Sequence, residues 1–313
     1  MTHSTAAPMK TPQLVVSERI ESRLNTGELS QQQVDEYTQF LQVAQKELMS
    51  HRIIQHNPYC EWFAKGTASE AELKFFVQQF SVFSNQFLVA ALLRVINAQD
   101  LEQMRSSKEI LLNELGVIYR KGEQVAGERS SLNPEDQDRE GDPDLVGTEG
   151  TVDGGIFRFR AAHFEWLLRM GSHLNLGFDH LGKRIHGRPK TLFFCDELQR
   201  TYGSEDSQFA EGASFAVENW AAAGFWQQLE DGLMLLKQQR YPKLPLAFFT
   251  WHNRVEGQHA SHTLEELEET YFSETFDRDK FLAGGKEILE AVAAFWDGLE
   301  EDRLAGHNQL VGC

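Results

Sequence analysis

Residues 248–259 read FFTWHNRVEGQH, and this stretch sets three potential metal ligands on one face of a helix. His252, Glu256 and His259 stand at offsets of four and seven, which an α-helix brings within roughly 60° of arc. Two imidazoles and a carboxylate that point the same way suit iron, manganese or zinc. The alternative is a solvated polar face, which the acidic run from Glu265 onward would extend.

Two further carboxylates and one histidine stand in apolar surroundings elsewhere in the chain. Glu218 lies among small and aromatic residues, and Glu211, seven positions earlier, shares its helix face and competes with it. Glu114 and His163 each follow helical apolar patterns. Buried carboxylates are rare unless they are paired or bind a ligand, so these residues are metal-ligand candidates. An ion pair or a packed core histidine is the simpler alternative for each.

Helical periodicity dominates the sequence and strand signals are weak, which predicts an all-α fold of about seven to eight helices. Ser30 and Ser69 are predicted helix caps, and Glu72 completes a capping box with Ser69. The predicted helices span about 30–54, from 69 onward, 100–119, from Ile156 onward, 191–202, 207–239, 245–271 and from Asp277 onward.

The predicted organisation is one large helical domain over residues 30–302. Residues 1–29 form an N-terminal tail with a short helix, and residues 303–313 form a C-terminal tail. Residues 121–155 are rich in Gly, Asp, Glu and Ser and nearly lack large apolar side chains. We interpret them as a flexible acidic insertion between two helices.

One helix carries an aromatic stripe, in which Phe76, Phe80, Phe83 and Phe87 follow at spacings of four, three and four. Such a stripe is typical of core packing. Lining an apolar substrate pocket is compatible with that, and Phe80, Phe83 and Phe87 are the candidates for it.

Bulk properties limit the partners and the compartment. The 313 residues carry a formal net charge of −17, which disfavours nucleic acid or an anionic membrane as a partner. The three cysteines, Cys60, Cys195 and Cys313, are scattered, as expected in a reducing compartment. The longest purely apolar run, residues 87–93, is far shorter than a membrane span, and residues 1–10 lack a signal-peptide core. The sequence predicts a cytoplasmic protein.

These residues resemble the haem-oxygenase-like di-iron oxidase and oxygenase superfamily, which is related in fold to thiaminase II and the pyrroloquinoline quinone synthase group. The resemblance covers roughly residues 56–272. It rests on HNPY at 56–59, GTAS at 66–69, NELG at 113–116, Gly-Ala-x-x-x-x-Glu at 212–218 and His-x-x-x-Glu-x-x-His at 252–259.

The resemblance implies a haem-oxygenase-like helical bundle that holds two Fe(II) ions per chain and uses O2 as co-substrate. The ligands carried over from the family pattern are Glu114, His163, Glu218, His252, Glu256 and His259. In the family, the first glutamate and histidine are usually one or two turns apart on one helix, whereas here residues 121–155 intervene. Their assignment therefore requires the insertion to loop out.

The implied activity is N-oxygenation or oxidative C–C cleavage of a small amino acid-like or fatty acid-like metabolite. The implied partners are that substrate and an electron donor, without nucleic acid or membrane, and a homodimer is compatible with this. One alternative is a metal-free enzyme of the same fold. It would be either a cofactor-synthesis oxidase or a thiaminase II-like hydrolase, and the hydrolase would need Cys195 as its nucleophile. Others are a non-catalytic helical binding protein and a haem protein with His51 or His56 as axial ligand.

Overall fold

The computed structural model describes residues 9–119, 155–157 and 162–312, and for 102, 109, 118–119, 155–157 and 255–262 it describes the backbone alone. The fold is all-α, as the sequence predicts. The described residues hold twelve α-helices, more than the predicted seven to eight. These are α1 Glu18–Asn25, α2 Gln31–Ala44, α3 Arg52–Gln55, α4 Pro58–Phe63, α5 Glu70–Ile96, α6 Leu101–Glu114, α7 His163–Ser172, α8 Pro189–Thr201, α9 Ser207–Ala221, α10 Phe225–Gln239, α11 Ala247–Thr270 and α12 Arg278–Leu304.

The predicted caps begin their helices where the sequence places them. Ser30 forms a capping box with Gln33 at the start of α2, and Ser69 forms one with Glu72 at the start of α5. The predicted helix over 30–54 is nevertheless wrong in its continuity. The chain leaves α2 through a π-helical turn at Gln45–Met49 before α3 begins, and a wider π turn shifts the helix register.

The long helix predicted over 207–239 is two helices, α9 and α10. Gly224 separates them with a φ of 107°, a left-handed conformation that an α-helix cannot continue and that glycine adopts without strain. The break lets α10 turn back, so that it packs against α11.

Helix α5 runs through the bundle against α6, α7 and α8. Among the described residues it is the one helix whose length and composition would allow it to cross a membrane, although its longest purely apolar run is short. Its buried polar side chains bind neighbouring loops. Gln79 donates to the His186 carbonyl oxygen, and Gln78 donates to the carbonyl oxygens of His180 and Val311.

Two short strands flank the segment that the sequence marks as an insertion. Strand β1, Val117–Tyr119, pairs antiparallel with β2, Gly155–Phe157. The helix predicted to resume near Ile156 is therefore wrong, and α7 begins only at His163. The three β-branched or aromatic residues of β1 favour extended backbone, but so short a run gives little periodicity to detect. The rest of the insertion, residues 121–154, lies outside the described residues.

Helices α9 and α12 approach each other closely at two glycines. A Cβ on Gly212 would overlap the Phe281 carbonyl oxygen, and a Cβ on Gly284 would overlap the Phe209 carbonyl oxygen. Because backbone meets backbone at both points, α9 has little freedom to shift relative to α12. This contact fixes the helix that carries Glu211 and Glu218.

Candidate metal centre

Four helices place predicted metal ligands around one cavity in the bundle. Glu114 is the last residue of α6 and His163 is the first residue of α7. Glu218 lies on α9 and His252 on α11, and all four side chains line the cavity. Residues separated by up to 138 positions in the chain thus share one wall, which the order of the helices alone does not predict.

Glu114 and His163 meet directly. The Oε1 atom of Glu114 lies 2.9 Å from Nδ1 of His163, and the histidine is only 3% exposed. Although the two atoms are close, Nδ1 has no partner in hydrogen-bond geometry among the described residues. A buried imidazole nitrogen without such a partner is costly, and a shared metal ion would satisfy both groups.

His252 is held in one orientation by its neighbours. Its Nδ1 lies 2.6 Å from the Phe248 carbonyl oxygen, and since a carbonyl only accepts, Nδ1 carries the proton. In the neutral ring Nε2 then carries the lone pair, the arrangement typical of metal-binding histidines. The indole of Trp226 stacks on this imidazole with ring centroids 4.4 Å apart.

Glu114, His163 and His252 can offer ligand atoms that all lie within 4.8 Å of one another. The imidazole centroids of His163 and His252 are 4.6 Å apart. Two histidines and one carboxylate with further positions open form a donor set that non-haem iron enzymes use. Within the described residues, these three side chains can therefore hold a transition metal ion.

Glu218 lies on the same cavity wall but outside that group of three. It is 7% exposed and sits in a buried stretch of α9. Its competitor Glu211 faces a different cavity, lined by residues such as Arg94 and Glu266. The structure thus places Glu218, the predicted ligand, and its competitor Glu211 at different cavities.

Glu256 and His259 lie one and two turns after His252 on the backbone of α11. Their side chains lie outside the described residues. Their assignment as metal ligands stays a prediction, and so does the second iron that depends on them.

The aromatic stripe divides between the cavity and the core. Phe83 and Phe87 line the cavity, which has a volume of about 80 Å³. Phe80 lies one layer behind, with its ring centroid 5.7 Å from that of Trp226. Phe80 and Phe87 share one face of α5, but they lie about 10 Å apart along the helix axis, so Phe80 packs in the core beyond the end of the cavity.

Sequence reasoning missed several cavity residues. Trp226 and Trp251 both line the wall, and Asn113 does so beside Glu114. Trp251 and Asn113 could have been predicted as cavity residues, because they adjoin the predicted ligands His252 and Glu114 in the sequence. Trp226 gave no signal, because its contact with His252 depends on the helix break at Gly224.

Strand pairing brings Glu114 and His163 together, since Tyr119 pairs with Gly155 and closes the intervening segment. We predict that replacing residues 120–154 by Asn-Gly, a favoured two-residue hairpin turn, leaves the helices of the protein intact. The affinity for Fe(II) should stay within about threefold of that of the parent. Circular dichroism and Fe(II) titration measure both. Loss of iron binding in a variant that keeps its helix content would mean that the segment itself supplies ligands.

Comparison with known proteins identifies no relative of this chain. No family model matches the chain, and no curated protein matches it significantly. The superfamily resemblance therefore rests on the residues quoted from the sequence.

Proposed function

We propose that the protein is an O2-dependent, non-haem di-iron oxidase or oxygenase acting on a small amino acid-like or fatty acid-like metabolite. The observation that carries this proposal is the meeting of Glu114, His163 and His252 inside the bundle. Two of these residues flank an insertion and the third lies on a distant helix, so a shared ligand gives their convergence a reason.

Burial favours a metal over a structural polar cluster. His163 and His252 are 3% and 7% exposed, and Glu114 is mostly shielded. Imidazoles and carboxylates taken from water need compensating partners, which a cation provides for all three at once. Clusters of buried ionisable groups in a cavity are typical of functional sites.

The residues of the site would position the iron and shield it. Glu114, His163, His252 and Glu218 would hold it, and the neutral imidazoles would bind without adding charge. Bound Fe(II) would supply the electrons that O2 needs. Phe83, Phe87 and Trp226 give the cavity an apolar aromatic wall, which would limit contact of the reacting groups with water.

The reacting part of the substrate must be small. A cavity of about 80 Å³ is well below the roughly 300–1,000 Å³ of pockets for drug-sized ligands. A short amino acid-like chain, or the end of a fatty acid, matches such a space.

The position of Cys195, the nucleophile that a metal-free hydrolase would need, does not support that alternative. Cys195 is buried on α8 and does not line the cavity. Burial raises the pKa of its thiol to about 12, so the reactive thiolate is scarce at neutral pH. The candidate haem ligands His51 and His56 face Glu290 and Glu61 respectively, away from this cavity wall.

Anaerobic Fe(II) loading followed by exposure to O2 tests the proposal. We expect two irons per chain and oxygen consumption that a matching substrate accelerates, measured across a panel of amino acids and short fatty acids. One iron per chain would indicate a mononuclear site. Binding of no iron, or equal iron retention after loss of His163, would contradict it. We also propose a cytoplasmic location and a separate electron donor, as the sequence predicts.

A further inference from the structure

A second cavity, with a volume of about 250 Å³, opens between α5, α6, α9 and α11. The polar residues that line it include Arg94, Gln103, Ser106, Ser107, Glu211 and Glu266. Ser107 and Glu211 each stand seven residues before a residue of the candidate metal centre, on α6 and α9. At 1.5 Å of rise per residue, the two cavities are about 10 Å apart along the helices.

Glu211 has one satisfied oxygen and one that lacks a partner. Its Oε1 accepts from Nε2 of Gln103 at 3.0 Å. Its Oε2 is buried and has no hydrogen-bond partner among the described residues. The nearby Thr270 hydroxyl has a single proton, which it directs to carbonyl oxygens of its own helix, at 3.1 Å from that of Glu266.

Arg94, the one arginine among the described residues of the cavity wall, contacts other groups. Arg94 donates from Nη1 to the Ala210 carbonyl oxygen at 3.1 Å, and its Nη2 lies 3.5 Å from Oε2 of Glu266. Its guanidinium also lies over the ring of Tyr202. Glu269, at the rim, pairs with Arg19 at 2.8 Å. Among the described residues, the cavity wall therefore carries more negative than positive charge when Glu211 is ionised, and the excess is centred on Glu211.

The electrostatics of Glu211 agree with this balance. Burial raises the pKa of its carboxyl to about 7; the charge of Arg94 opposes this rise, Glu266 adds to it, and the nearby Thr270 hydroxyl lowers it slightly. A carboxylate in such a place is stabilised by any cation that enters the cavity.

We propose that this cavity binds a small organic cation whose primary ammonium group donates to Oε2 of Glu211. An ammonium has three donors and no acceptor, and the cavity offers it carboxylate and serine oxygens together. A metal ion is a poorer occupant, because the described residues offer no close set of carboxylates or imidazoles here. A volume of about 250 Å³ also leaves room for a short carbon chain. The site does not require iron.

Calorimetric titration of the protein with n-butylammonium, with and without iron, tests this site. We expect butylammonium to bind at least tenfold more tightly than 1-butanol or butanoate, which match its length but lack the positive charge. Equal binding of the alcohol, or no binding of the amine, would overturn the proposal. This comparison needs no variant, and its result is independent of whether iron binds at the other cavity.

The Glu211→Gln variant tests the residue itself. We expect it to weaken butylammonium binding at least tenfold while keeping the parent's thermal midpoint, since the Gln103 contact to Oε1 can be kept by the amide oxygen and Oε2 has no hydrogen-bond partner among the described residues. Glu269→Gln is the matched control, because that carboxylate lines the same cavity but is neutralised by Arg19. It should change affinity less than threefold. Unchanged binding in Glu211→Gln, or equal losses in both variants, would refute the role of Glu211.

Discussion

Replacing His252 with alanine should lower the affinity of the protein for Fe(II) by at least about 100-fold. This side chain is one of three described donors, and its ring is already oriented by Phe248 and Trp226. Losing a partner that merely orients a ligand costs 10–100-fold in metal affinity, so losing the ligand should cost at least the upper value. Anaerobic Fe(II) titration with a competing chelator measures the change.

His186→Ala is the matched control for this experiment. His186 is also buried, and its Nδ1 also lies at hydrogen-bond distance from a carbonyl oxygen, that of Val311, but it does not line the cavity. Both substitutions remove a buried imidazole, so a general loss of stability would affect them alike. Equal iron affinity in the two variants would rule out His252 as a ligand.

Replacing Gly212 with alanine should destabilise the fold by about 3 kcal/mol. The added methyl group would overlap the Phe281 carbonyl oxygen, and backbone cannot move aside as the end of a side chain can. Alanine has a higher helix propensity than glycine, by about 1 kcal/mol in a helix interior. This gain is too small to offset the overlap. Urea unfolding monitored by circular dichroism gives the free energy of unfolding.

Gly177→Ala provides the comparison, since Gly177 has an ordinary backbone conformation and its nearest neighbour would lie 3.7 Å from the new Cβ. We expect a change within about 0.5 kcal/mol there. If Gly212→Ala is no less stable than this control, α9 and α12 are not held by a close backbone contact.

The features that were predictable from sequence are local ones. Ser30 and Ser69 begin helices because a side-chain oxygen and a residue three positions later satisfy the first free amides, which a short window of sequence reveals. The helix that carries His252 was visible from the spacing of its residues in a short window, although no side chain caps its start. The break at Gly224 was not, because glycine also occurs within helices, at Gly212 and Gly284. Only packing distinguishes a glycine that ends a helix from one that admits a neighbour.

The residues alone predicted the types of ligand in the candidate site, whereas their assembly was predicted only through the family resemblance. Each of Glu114, His163 and Glu218 had an ordinary structural explanation when taken alone. The pairing of β1 with β2, which brings the first two together, joins segments 36 positions apart at its closing pair, Tyr119 and Gly155. Glu211 and Glu218 share a helix face by periodicity, and the neighbouring helices decide which cavity each one enters.

Because Tyr119 pairs with Gly155, the geometry of the site does not depend on the number of residues between them. Closing a longer loop costs only about 0.6 kcal/mol for each doubling of its length. Natural relatives could therefore differ widely in the length of this segment while keeping the same cavity, and a reporter protein inserted there should leave the helices of the bundle undisturbed.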